Sequence, residues 1–161
     1  MQKSPQPSLK GRALRLLARR EHSRAELERK LGPYEDEPGT LAHALDELTA
    51  KDLISEPRVV ASVLHQRAPR MGALRIKREL QQKGVASETI ADAVAGLRQT
   101  EVERAHALWR RRFDSPLADP KEHARQSRFL LGRGFAPEVV RRVLSGRFEF
   151  EEGASADNAA P

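Results

Sequence analysis

The stretch MGALRIKRELQQKGV (Met71–Val85) decides the fold, because its pattern returns 50 residues further along the chain. The matched positions combine apolar residues with a basic residue and a glycine, and they pair Leu80 with Leu130, Lys83 with Arg133, Gly84 with Gly134, and Val85 with Phe135. An offset of 49 residues aligns the first third of the chain with the same stretch, pairing Leu27 with Ile76, Arg29 with Arg78, and Leu31 with Leu80. A repeat of this length is typical of stacked units that cannot bury their apolar faces alone.

The apolar residues within each unit recur at helical spacing. Leu41, Ala44, Leu45 and Leu48 follow the i, i+3, i+4, i+7 pattern of an amphipathic helix. In the second unit, the helix that ends at Gly84 carries Leu74, Ile76 and Leu80. Few β-branched residues are present, which disfavours a sheet. The sequence therefore predicts an all-α fold with three tandem three-helix repeats forming an elongated curved array.

The repeats are predicted at residues 9–54, 55–99 and 100–148. They lie between a polar segment at 1–8 and an acidic tail at 149–161, both expected to be disordered. Five residues are predicted to cap helix N-termini: Ser23 and Asp119, which begin capping boxes with Glu26 and Glu122, and Thr40, Ser55 and Ser87. Gly84 and Gly134 are expected to end helices in the left-handed conformation.

No constellation for catalysis, metal binding or cofactor binding stands out in the sequence. The chain has no cysteine, and its five histidines fall on separate predicted elements without metal-ligand spacing. No apolar run is long enough to span a membrane, and no signal-peptide core begins the chain. We therefore expect a cytoplasmic monomer that is not an enzyme and carries no cofactor.

The net charge of +6 is unevenly distributed along the chain. Residues 67–83 and 125–147 each carry a net charge of +5, whereas residues 35–56 carry −6. Basic blocks of this kind suggest an acidic protein surface or nucleic-acid phosphates as partner. A solvated, arginine-rich exterior without a ligand is the alternative that charge alone leaves open.

The basic positions are the candidates for a binding site because they recur between repeats. Arg75 and Arg78 reappear as Arg125 and Arg128. Lys83 and Arg133 precede the terminating glycines, where a cation also offsets the helix dipole by ~0.3–1 kcal/mol. The candidate residues for binding a partner or DNA are Arg67, Arg70, Arg75, Lys77, Arg78, Lys83, Arg125, Arg128 and Arg133. The aromatic residues Trp109, Phe113, Phe129 and Phe135 are expected in the core instead.

Three stretches resemble motifs of the RecX family, in that family's order. They are ALRLLARREHSRAELERKL (Ala13–Leu31), MGALRIKRELQQKGV (Met71–Val85) and FLLGRGFAPEVVRRVL (Phe129–Leu144). The resemblance covers about residues 9–148. The first unit departs from the pattern of the other two, since Tyr34 and Glu35 replace the basic residue and glycine.

The resemblance implies a modulator of RecA that lies in the groove of the RecA–single-stranded-DNA filament. Family members limit RecA ATPase, strand exchange and coprotease activity, and some bind DNA directly. A RecA-independent nucleic-acid-binding module is the alternative, and a helical adaptor for another protein is a third possibility. We expect RecA as the main partner, with direct contact to single-stranded DNA left open.

Overall fold

The computed structural model describes residues 6–113 and 119–146, and within these ranges the chain is all-helical. Nine α-helices follow one another in this part of the chain: α1 (Leu9–Leu17), α2 (Arg24–Leu31), α3 (Thr40–Ala50), α4 (Glu56–Arg67), α5 (Ala73–Gln82), α6 (Ser87–Gln99), α7 (Glu101–Arg110), α8 (Pro120–Gly132) and α9 (Pro137–Leu144). A short 3₁₀ helix at Gly32–Tyr34 follows α2. The predicted all-α class is confirmed, and the curvature of the array stays a prediction.

The helices group into three repeats, α1–α3, α4–α6 and α7–α9, and each repeat has a hydrophobic core of its own. Leu27 and Leu45 are fully buried in the first core, Ile76 and Leu80 in the second, and Leu130 in the third. The predicted boundaries at 54/55 and 99/100 fall between these groups. Three tandem three-helix repeats are therefore confirmed, with burial organised within each unit rather than across the chain.

The third core contains the aromatic residues that the sequence assigns to it. Trp109, Phe113 and Phe135 are buried, and the half-buried Phe129 packs against them. The indole Nε1 of Trp109 donates a hydrogen bond to the buried Oε1 of Gln126 at 2.8 Å. The polar edge of the ring is thus satisfied inside the core.

Three of the five predicted N-caps are confirmed, among them Asp119, whose side chain accepts a hydrogen bond from the Glu122 backbone N–H. Ser23 and Glu26 form the expected capping box, and the Ser55 side chain accepts a hydrogen bond from the Arg58 backbone N–H. The predictions for Thr40 and Ser87 are wrong, because each is the first residue of its helix rather than the residue before it. The N-cap of α1 is Ser8, inside the segment predicted to be disordered. The predicted acidic tail at 149–161 lies outside the described residues.

The second and third repeats meet through their backbones. The N–H of Gly72 donates to the carbonyl of Arg133 at 2.9 Å, and the N–H of Leu74 donates to the carbonyl of Gly134 at 3.2 Å. A Cβ atom at Gly72 would lie 2.2 Å from the Gly134 carbonyl oxygen. The start of α5 can therefore reach the turn after α8 only because residue 72 has no side chain.

The first and second repeats meet at the equivalent place. Here the hydrogen bond across the junction is donated by a side chain and not by the backbone. The turn at Gly84 lies against Ala25 of α2, just as the turn at Gly134 lies against Arg75 of α5. The Arg29 guanidinium donates to the Gln82 carbonyl at 2.9 Å, and the Arg75 guanidinium donates to the Gly132 carbonyl at 3.0 Å. The two acceptor carbonyls are 50 residues apart. The 50-residue period of the sequence is therefore also found in the hydrogen bonds between units.

The turns of the three repeats differ in what they contact. In the second and third repeats, the glycine turn receives the middle helix of the repeat before it. In the first repeat, Tyr34 and Glu35 take the positions of the basic residue and the glycine. Tyr34 instead lies beneath the Arg12 guanidinium, which is 4.0 Å from the ring centroid.

Candidate partner-binding groove

A groove of about 1140 Å³ runs across the places where the three repeats meet. We call it the central groove. Its charged lining consists of Arg29, Arg67, Arg75, Arg78 and Lys83, together with Glu26 and Glu79. Five basic and two acidic side chains give the lining a net charge of +3. Four of the nine candidate residues from the sequence, Arg67, Arg75, Arg78 and Lys83, thus lie together.

Two of the five basic side chains are neutralised by the two carboxylates. Arg67 Nε lies 3.0 Å from Glu79 Oε2, and Lys83 Nζ lies 3.0 Å from Glu26 Oε1. The ion pair between Lys83 and Glu26 is largely buried and joins the first repeat to the second. Lys83 is therefore placed to hold the junction between repeats.

The pKa of Glu26 reflects this junction. Burial on its own would raise the pKa of the carboxyl group, but hydrogen bonds from the Ser23 backbone N–H, from Lys83 and from Arg20 lower it to about 2. The carboxylate accepts from the Ser23 N–H at 2.9 Å while it contacts both cations. Glu26 therefore stays ionised and at once caps α2 and anchors the second repeat.

The other three cations of the central groove have no acidic partner among the described residues. Arg29 and Arg75 donate to neutral carbonyl groups across the repeat junctions. Arg78 is exposed and makes no hydrogen bond or ion pair with any described residue. These three guanidinium groups account for the net charge of +3 and are available to an anionic partner.

Two leucines place apolar surface in the same groove. Leu74 of α5 is 47% exposed and Leu131 of α8 is 44% exposed, and both line the groove. Leu74 does not belong to the core of the second repeat. The buried face of α5 is made by Ala73, Ile76 and Leu80, so residue 74 lies on the opposite side of the helix, four residues before Arg78.

Lys77 and Arg70 lie away from the central groove. Lys77 faces a smaller groove of about 410 Å³ between α5 and α6, which also contains Arg98. Arg70 is exposed in the connection between α4 and α5. The five candidates of the second repeat from Arg67 to Arg78 therefore do not form one cluster.

The candidates of the third repeat gather around aromatic rings, with one exception. The Arg125 guanidinium lies 5.3 Å from the Phe113 ring centroid, and the Arg133 guanidinium lies 5.1 Å from that of Phe129. Arg125 also contacts Glu122 at 3.4 Å. The exception is Arg128, which is exposed and has no partner among the described residues. This group is a second basic surface, separate from the lining of the central groove.

The sequence reasoning missed three residues of the central groove: Arg29, Leu74 and Leu131. A signal for Arg29 was present, because the 49-residue offset aligns it with Arg78. No comparable signal marks the leucines, since an exposed leucine on a helix cannot be distinguished from a core leucine by spacing alone. Their role becomes visible only when the repeats are placed side by side.

In residues 6–113 and 119–146, no helix has the length and apolar character of a membrane-spanning segment. No group of three or more histidine, aspartate or glutamate residues in residues 6–113 and 119–146 is arranged to hold a metal ion. The central groove is thus the feature on which a functional interpretation rests.

Comparison with known protein families gives three consecutive matches along the chain. Models described as the first, second and third three-helix domains of RecX match residues 10–48, 55–94 and 99–144. A protein of Leptothrix cholodnii named regulatory protein RecX is 56% identical over 140 residues, which cover 87% of this chain and 89% of that protein. A protein of the same name from Ralstonia pickettii is 42% identical over 151 residues, covering 93% and 95%.

Solved structures agree with the fold. A crystal structure of RecX from Lactobacillus salivarius superposes with a TM-score of 0.71 at 20% identity and covers 85% of this chain and 92% of that one. A second structure, a regulatory protein RecX, superposes with a TM-score of 0.68 at 21% identity, covering 84% and 70%. The three family matches and the relatives at 56% and 42% identity show that the chain belongs to the RecX family of regulatory proteins.

Proposed function

We propose that this chain regulates RecA, mainly as an inhibitor, by binding in the groove of the RecA–single-stranded-DNA filament. It would limit RecA ATPase, strand exchange and coprotease activity without catalysis of its own. The relatives named regulatory protein RecX support a regulatory role. The observation that carries the proposal is the central groove, where three uncompensated arginines and two exposed leucines from different repeats share one surface.

The mechanism is steric and electrostatic. Arg29, Arg75 and Arg78 would contact acidic groups of the filament, because no carboxylate in the described part of the chain neutralises their charges. Arg67 and Lys83 would support the groove wall through their ion pairs. A filament segment that contacts all three repeats would be bound at several points at once. The segment would therefore move less freely.

The remaining candidates form the flanks of the proposed interface. Arg125, Arg128 and Arg133 would contact a neighbouring part of the filament, either acidic protein or DNA phosphate. Arg70 and Lys77 would contribute from the second repeat. We further propose that the protein acts as a cytoplasmic monomer.

The test is RecA ATPase on single-stranded DNA, titrated with the protein at two salt concentrations. We expect the wild-type chain to lower the ATPase rate. The Arg78→Glu variant should require about tenfold more protein for the same inhibition, since it replaces an attraction by a repulsion. Arg141→Glu, an exposed residue of α9 outside the central groove, makes the same change in net charge and should behave like the wild type.

No effect of the wild-type chain at either salt concentration would reject the proposal. The alternative is a nucleic-acid-binding module that acts without RecA. It predicts tight binding to bare DNA and none to a preformed filament. Its affinity would fall steeply with salt, by about 0.7 logarithmic units per tenfold rise in salt for each phosphate contacted on a single strand.

A further inference from the structure

The lining of the central groove contains groups that a nucleic-acid backbone would not use. Leu74 and Leu131 expose nearly half of their side chains there, on helices of two different repeats. Leu74 lies one helical turn before Arg78, and Leu131 directly precedes Gly132, whose carbonyl accepts from Arg75. Apolar side chains therefore lie beside the uncompensated guanidinium groups.

The carboxylates of the groove also oppose phosphate. Glu26 and Glu79 are part of the lining, and each is held in place by an ion pair. A phosphodiester strand along the groove would run past both negative charges and would leave the leucines exposed to water. The second basic surface, in the third repeat, differs from the groove. Arg125 and Arg133 lie over two aromatic rings there, and so does Arg112. Among the described residues, Glu122 is the one carboxylate that contacts any of these three arginines.

We propose that the central groove binds an acidic segment of a protein and not the phosphates of DNA. Apolar side chains of that segment pack against Leu74 and Leu131 and anchor it. This inference rests on the proposed function and states which part of the filament the groove contacts, namely the protein. Carboxylates of the segment pair with Arg29, Arg75 and Arg78. Its apolar side chains cover the two leucines, so that burial and charge pairing act together.

The first experiment removes the apolar part of the groove. The double variant Leu74→Ser with Leu131→Ser is compared with the matched double variant Leu14→Ser with Leu53→Ser, whose leucines are 39% and 42% exposed and lie outside the central groove. Each protein is tested for inhibition of RecA ATPase and for binding of a fluorescent single-stranded oligonucleotide without RecA. Circular dichroism and thermal melting establish that both variants are folded.

We expect the groove variant to lose inhibition about tenfold and to bind the bare oligonucleotide as the wild type does. The matched variant should inhibit within about twofold of the wild type. Unchanged inhibition by the groove variant would overturn the proposal. A parallel loss of oligonucleotide binding would also overturn it, because the groove would then hold DNA.

A second experiment identifies the occupant even if the serine variants fold poorly. A photo-crosslinking side chain is introduced as Leu74→p-benzoylphenylalanine, with Leu14→p-benzoylphenylalanine as the control, and each protein is irradiated with RecA–DNA filaments. Crosslinks from position 74 to RecA support the proposal. Crosslinks to DNA, or none above the control, reject it. If the wild-type chain has no effect on RecA ATPase, the proposed function is rejected. The acidic protein segment is then also rejected as the occupant of the central groove.

Discussion

Gly134 shows how one residue controls the distance between two repeats. Its φ angle is +85°, and its backbone lies against the first turn of α5. A Cβ atom there would lie 2.4 Å from Arg75 Cβ and 2.7 Å from the Arg75 backbone nitrogen. Both the left-handed conformation and the close approach therefore require glycine.

We expect Gly134→Ala to lower the free energy of unfolding by about 2 kcal/mol or more, because backbone strain adds to a clash with backbone atoms. Urea denaturation followed by circular dichroism measures this loss. Gly96→Ala is the control, since Gly96 lies within α6 with open space around it. That change should stabilise the protein by about 0.5–1 kcal/mol. Equal effects of the two substitutions would contradict the role given to Gly134.

The sequence predicted the left-handed helix end at Gly134 but not its contact with another repeat. A glycine after an amphipathic helix indicates a left-handed helix end, and the φ angles of Gly84 and Gly134 confirm it. The sequence left Lys83 with two roles, partner contact and the helix dipole, and the structure adds an ion pair with Glu26 of another repeat. That pair depends on which helix ends meet across a junction, and no local pattern encodes it.

At the scale of elements, α5 is held at its start by a residue from another repeat. Its N-cap, Gly72, has no side chain, and the N–H of Ala73 donates instead to the buried carboxylate of Glu101 at 2.9 Å. The neighbouring Arg104 donates to the carbonyls of Ala68 and Met71 at 2.7 and 2.8 Å. The start of α7 thus caps α5 and fixes the loop before it.

We expect Glu101→Ala to destabilise the protein by about 1–3 kcal/mol, because it leaves a buried backbone N–H without an acceptor. Hydrogen exchange at the Ala73 amide should accelerate, which distinguishes this cause from a general loss of stability. Glu103→Ala, an exposed change on the same helix, provides the control. Unaltered exchange at Ala73 would show that the carboxylate does not cap α5.

Helices and caps close in sequence were more predictable than contacts between elements. The capping box at Ser23 lies within four residues, and its prediction from the sequence is confirmed. The cap of α5 by Glu101 joins residues 28 apart, and it follows from the way α7 packs against the second repeat. The exposure of Leu74 could not be predicted for the same reason, since the orientation of α5 depends on its neighbours and not on its own spacing alone.

At the scale of the whole molecule, the two junctions differ in chemistry. The second and third repeats share backbone hydrogen bonds, whereas the described contacts that join the first repeat to the second are made by side chains. Among the latter are the ion pairs of Glu26 with Lys83 and of Arg58 with Glu21. The described polar contacts thus attach the first repeat through side-chain hydrogen bonds and ion pairs, whereas backbone hydrogen bonds join the other two.

We expect acid to release the first repeat before the others. Because the pKa of Glu26 is lowered from 4.5 to about 2, its stabilisation is complete above pH 4.5 and is lost as the pH falls toward 2. The loss should be on the order of 3 kcal/mol. Burial also lowers the pKa of His22, so that stability already falls below pH 6.5 in the same repeat.

Trp109 makes this order of events measurable, because it is the single tryptophan of the chain and is buried in the third repeat. At pH 3, urea should reduce the helical circular dichroism signal before it changes the tryptophan fluorescence. Glu26→Gln should weaken the dependence of unfolding on pH between 4.5 and 3, whereas the exposed Glu28→Gln should leave the dependence intact. Coincident transitions at pH 3 would contradict a weaker first repeat.

The glycine turns also distinguish the three repeats from one another. The tight joint between the second and third repeats uses Gly134 at its turn and Gly72 at the start of α5. The first repeat has Ser23 and Glu35 at the corresponding positions, and the third has Glu122 in place of Gly72. The second repeat has glycine at both positions, so the three repeats are not interchangeable and their order follows from these residues.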